Sequence, residues 1–119
     1  MALVDLKVVK FGSAAQWTVV NATDTFLMAN DGLTKLYVSN ETNQNCTVTV
    51  KEKRTCNYGH ATTDAAYTCS GNNVVTHIGT FRKDRFNRVD GKIEVVFTIP
   101  GAGQVRVYGV YDQPEDGRI

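Results

Sequence analysis

The sequence predicts an all-β chain, a single-domain β-sandwich or jelly-roll-like fold of about eight short, mainly antiparallel strands. Three observations carry that expectation. Apolar residues alternate with polar ones at Leu36/Val38, at Cys46/Val48/Val50 and at Ile93/Val95/Phe97, the period of strands with one buried face. Turn-forming residues break the chain at short intervals, as at Asn30-Asp31-Gly32, Gly71-Asn72-Asn73 and Pro100-Gly101-Ala102-Gly103. No segment sustains a helical period, and β-branched residues crowd the strand positions.

The elements follow in order. Asp5 to Lys10 alternates loosely, and Gln16 to Val20 follows the break Gly12-Ser13-Ala14-Ala15. Thr25 to Met28 is a short apolar run closed by the Asn30-Asp31-Gly32 turn. Leu33 to Ser39 sets Leu36 and Val38 on one face and Lys35, Tyr37 and Ser39 on the other. Cys46, Val48 and Val50 then oppose Thr47, Thr49 and Lys51. The polar middle, Arg54 to Asn73, holds a weak strand at Ala66 to Ser70, and Val74 to Ile78 resumes strand character up to Gly79. Phe81 to Asn87 is charged and short enough for one helical turn. Lys92 to Thr98 alternates cleanly apart from Val96, and Val105 to Tyr111 is the last strand. One domain thus covers residues 1–111, with residues 1–5 a candidate N-terminal arm. Residues 112–119 form a tail, flexible or held by a partner.

At 119 residues, 42% hydrophobic and 21% charged, the chain is long enough to bury a core without metal or disulfide support. Thirteen Lys and Arg against twelve Asp and Glu leave a net charge of +1, which gives no global pull toward nucleic acid. No apolar run approaches the ~18 residues of a membrane span. The first residues, Met-Ala-Leu-Val-Asp-Leu-Lys, mix charges with apolar residues and show no signal-peptide pattern.

Three cysteines are an odd count for a disulfide framework. Cys46 reads as a core residue of its strand, whereas Cys56 and Cys69 flank the polar loop Asn57 to Thr68 and are a candidate disulfide pair. In a reducing cytoplasm such a pair usually stays as thiols. Cys56, His60, Cys69 and His77 fall within 22 residues, but Cys-x3-His and Cys-x7-His lack the close ligand pairs of structural zinc sites, so no metal or other cofactor is assigned. No nucleophile elbow or phosphate loop is present, and Gly101-Ala102-Gly103 precedes a strand rather than a helix. The chain is therefore read as non-enzymatic. Sequons at Asn21, Asn40 and Asn45 are read as turn and strand chemistry. The one dense charge run is Arg82-Lys83-Asp84-Arg85-Phe86-Asn87-Arg88. It fits a docking surface for an acidic partner, or a solvated connection with Phe86 turned into the core. Asp84 and Asp90 interrupt it, which disfavours phosphate binding.

The order of these pieces carries a resemblance. Asn30-Asp31-Gly32-Leu33-Thr34, then Leu36-Tyr37-Val38-Ser39-Asn40, then Cys46-Thr47-Val48-Thr49-Val50 resemble a family of small tailed-bacteriophage head proteins. His77-Ile78-Gly79-Thr80-Phe81 is similar to that family's Ile-Gly-Pro-Phe element. Arg85-Phe86-Asn87, Asp90-Gly91 and the strands Lys92 to Thr98 and Val105 to Val110 follow in the same order. The likeness covers roughly Phe26 to Tyr111, and it rests on order and spacing more than on any one motif. Thr80 replaces the family's usual Pro, and Arg54 to Tyr67 has no counterpart.

The resemblance implies a capsid decoration, or head cement, protein of β-sandwich type. Such a protein is made in the host bacterial cytoplasm and sits on the outer capsid surface of the virion. Its partner would be the major capsid protein, and it would act as a homo-oligomer, with a trimer favoured. No nucleic acid or membrane partner is expected. The contact candidates are Ala2, Leu3, Val4 and Asp5 of the N-terminal segment and Arg82, Lys83, Arg85 and Arg88 of the basic run. A head–tail connector or tail component is the alternative in the same setting. A secreted carbohydrate-binding or adhesin-like sandwich is a more distant one; it calls for clustered aromatics, whereas the Trp and Tyr residues are scattered along the chain.

Overall fold

Two β-sheets pack face to face in the computed structural model, which describes residues 3–10, 12–30, 32–52, 64–79 and 81–111, and only the backbone of residues 83 and 84. The first sheet runs β1 (Leu3–Asp5), β4 (Thr25–Ala29), β9 (Lys92–Thr98), β6 (Cys46–Val50) and β7 (Ala65–Cys69). The second runs β2 (Val8–Lys10), β10 (Val105–Tyr111), β5 (Thr34–Asn40) and β8 (Val74–Ile78), and β3 (Thr18–Val20) lies along β10 beyond β2. The one described helix, α1 (Lys83–Phe86), is a single turn. The predicted sandwich is therefore present, with ten described strands where about eight were expected.

Alternation decides which side chains meet between the sheets. Phe26 and Met28 of β4, Ile93, Val95 and Phe97 of β9, and Cys46, Val48 and Val50 of β6 point inward from the first sheet. Leu36 and Val38 of β5 and Val105 and Val107 of β10 meet them from the second. Each buried aliphatic or aromatic side chain of this kind contributes roughly 1.5–3 kcal/mol, and a one-residue slip would turn every one of them to solvent. Phe26 and Phe97 pack edge to face, with centroids 5.6 Å apart.

The N-terminus departs from the expected single strand. The chain changes sheets between Asp5 and Val8, so β1 pairs in parallel with β4 and β2 in parallel with β10. Leu6 marks the crossing: its side chain enters the core and its N–H donates to the Leu27 carbonyl at 2.8 Å. The remaining described pairings are antiparallel.

The corner joining β5 to β6 and β7 to β8 is built on Asn40, which is fully buried. Its amide Nδ2 donates to the carbonyls of Gln44 and Cys69, and its Oδ1 accepts from the N–H and hydroxyl of Thr42. Asn72 and Asn73 both take left-handed φ values, 64° and 68°, which Asn tolerates better than most residues. Their N–H groups donate to the Thr42 and Asn40 carbonyls. The Asn40-Glu41-Thr42 sequon is thus a buried hydrogen-bonding device, and Asn21 likewise caps its own turn by accepting from the N–H groups of Thr23 and Asp24.

Candidate functional site

The basic turn folds back on the sandwich. Phe86 inserts into the core, packing edge-on against Phe81 with centroids 6.1 Å apart, as the connecting-loop reading expects. The Arg85 guanidinium lies 4.6 Å above the Phe86 ring, and its Nε reaches Glu52 Oε1 at 2.5 Å. Arg88 faces Asp90 and Glu94, each at 3.6 Å. Arg82 is exposed, and the side chain of Lys83 is among those not described. Of the four basic contact candidates, Arg85 and Arg88 therefore already hold intramolecular carboxylates.

The N-terminal candidates occupy an edge strand. Leu3 is exposed, Val4 packs against the core, and Asp5 pairs with Lys92 Nζ at 3.0 Å. Leu3–Asp5 hydrogen-bonds along β4, so this segment runs along the sheet edge rather than projecting as an arm. Ala2, the tail 112–119 and Cys56 lie outside the described residues.

Four separate sequence motifs meet at one node. Asn30 of the Asn-Asp-Gly turn donates from Nδ2 to the Phe81 carbonyl (3.1 Å) and to Asn87 Oδ1 (2.7 Å). Asn87 Nδ2 returns a bond to the Asn30 carbonyl at 2.9 Å, and the Asn30 N–H donates to the Gly91 carbonyl at 3.0 Å. Asn30 Oδ1 also accepts from the Gly32 N–H at 3.1 Å. The Asn-Asp-Gly, Ile-Gly-Thr-Phe, Arg-Phe-Asn and Asp-Gly motifs are thus parts of one hydrogen-bonded corner, which fixes the basic turn to the start of β9.

The outer face of the second sheet carries a row that the linear sequence hides. Tyr37 is the register partner of both Tyr108 and His77. His77 stacks on Tyr37 at 4.2 Å, Tyr108 meets Tyr37 at 5.5 Å, and Trp17 and Tyr108 meet edge to face at 4.6 Å. Arg106 covers Trp17 at 5.8 Å and is held by Glu41. Aromatics scattered in sequence are therefore clustered in space. Tyr37 lies between His77 and Tyr108, and Tyr108 between Tyr37 and Trp17. Tyr37 on the polar side of an alternating strand was the available sequence signal.

Cys46 and Cys69 are free, buried and directly opposed across β6 and β7. The Cys69 thiol donates to Cys46 sulfur, which lowers the Cys46 pKa and, together with burial, pushes the Cys69 thiol far up. Cys69 faces the core of the first sheet whereas His77 stands on the outer face of the second, so these two candidate ligands cannot share a metal. No cluster of three metal-ligating side chains occurs among the described residues.

Comparison with known protein families, with curated proteins and with solved structures returned no match in any of the three.

Proposed function

We propose that this protein is a non-enzymatic virion structural protein that binds the outer surface of a tailed-phage capsid and stabilises the major capsid protein lattice. The observation that carries the reading is the Asn30 node. Four motifs that resemble phage head proteins, each short and common alone, are joined by reciprocal hydrogen bonds into one corner. Motifs that share a physical structure are expected to travel together, so the four count as one coherent likeness built around a single corner.

The sandwich suits the role, because its loops gather at its ends and many weak contacts to a repeating lattice sum through multivalency. Assembly as a homotrimer would multiply that effect. Arg82, Lys83, Arg85 and Arg88 remain the basic docking candidates, and Arg85 and Arg88 would exchange their intramolecular carboxylates for those of the partner. Co-sedimentation of the purified chain with capsids lacking it tests the reading. Saturation at a fixed ratio to the major capsid protein supports it, and absence of binding to such capsids overturns it.

A further inference from the structure

We propose that Cys46 and Cys69 form a redox-active pair that closes into a reversible cross-strand disulfide when the protein meets a small-molecule disulfide. The inference does not depend on what the protein binds. It rests on register: Cys46 opens β6, Cys69 closes β7, and the two are direct partners with both side chains in the core.

The pairing type follows from the neighbouring ladder. The Lys51 N–H donates to the Glu94 carbonyl, so odd-numbered residues of β6 direct their backbone groups toward β9, and Cys46, Val48 and Val50 direct theirs toward β7. Cys46 and Cys69 are therefore a hydrogen-bonded pair, whose Cα atoms lie about 5.5 Å apart, inside the roughly 4.4–6.8 Å that a disulfide spans. The Cβ atoms of such pairs, at about 5 Å, must draw in by roughly 1 Å. That adjustment falls at the ends of both strands, where the ladder is easiest to bend, and it leaves a bond more readily reduced than a relaxed structural disulfide.

Access comes through the sheet edge. β7 is the terminal strand of its sheet, and local opening of an edge strand uncovers both thiols without global unfolding. The Cys46 thiolate, favoured by the hydrogen bond from Cys69, attacks one sulfur of oxidised glutathione and releases one glutathione thiolate. Cys69, after losing its proton, attacks the Cys46 sulfur of the mixed disulfide and expels the second. Two cysteine thiols and one glutathione disulfide thus become one protein disulfide and two glutathione thiols.

The test incubates the full chain in glutathione buffers of increasing oxidised fraction, quenches with acid, alkylates free thiols, and maps linked peptides by mass spectrometry. Trypsin and chymotrypsin together separate the three cysteines, because Lys51, Arg54, Tyr58 and Tyr67 lie between them. A Cys46–Cys69 linkage that persists in Cys56→Ala and disappears with dithiothreitol is the expected result. Linkage of Cys56 to either partner as the main product, or full alkylation of Cys46 and Cys69 in the most oxidising buffer, would overturn the proposal.

Discussion

Replacing Asn30 by alanine tests the node where the motifs meet. The side-chain amide makes three hydrogen bonds, to the Phe81 carbonyl, to Asn87 Oδ1 and from the Gly32 N–H, and Asn30 is buried. At about 1 kcal/mol net for each bond, Asn30→Ala costs about 3 kcal/mol. For a chain of this length each kcal/mol lowers the melting temperature by roughly 4 °C, so the variant melts about 12 °C lower. Urea unfolding followed by Trp17 fluorescence gives the same quantity as a shift in midpoint at unchanged slope. Asn87→Ala removes the other half of the node, and the double variant loses less than the sum of the singles by about 1 kcal/mol or more. A loss below about 0.5 kcal/mol for Asn30→Ala, the range of a neutral surface change, would refute the node as a structural unit.

Other consequences follow from the same contacts. Arg85→Ala removes the Nε bond to the Glu52 carboxylate, whose side chain is only 5% exposed, and costs roughly 1–3 kcal/mol in urea unfolding. Lys92→Ala breaks a pair with an Asp5 side chain that is 68% exposed and stays within about 0.5 kcal/mol of the parent in the same assay. Gly109→Ala places a methyl 2.7 Å from Met28 Sδ and 2.9 Å from Val8 Cγ2, an overpacking that costs about 1–3 kcal/mol in thermal unfolding. Gly79→Ala forces a φ of +135° on a residue whose Cβ would lie 3.1 Å from the Lys35 Cα, and it lowers stability by about 1–3 kcal/mol on the same measure.

The parts of the fold legible in the sequence are those where one face is buried and the pairing is antiparallel. The expected Cys46–Val50, Lys92–Thr98 and Val105–Tyr111 match β6, β9 and β10, and Leu33–Ser39 misses β5 by one residue at each end. The N-terminal crossing was not legible. Parallel pairing of β1 with β4 and of β2 with β10 joins strands with no turn between them, so nothing local marks where the chain leaves one sheet for the other.

The candidate site was less legible still. A run of cations says nothing of Glu52 or Glu94, which reach Arg85 and Arg88 from elsewhere in the chain. The candidate Cys56–Cys69 pair was read from the loop between the two residues, and Cys56 lies outside the described residues; the register, which no local pattern announces, sets Cys69 against Cys46. Trp17, Tyr37, His77 and Tyr108 become neighbours only once four separate segments are aligned side by side.

Quantitative protein composition of purified native phage particles tests the capsid reading most directly. The expected result is this chain at a fixed ratio to the major capsid protein, in hundreds of copies per particle. Copies numbering about six or twelve, the count of a closed ring, would assign it to a connector instead, and its absence from the particle would contradict a virion role altogether.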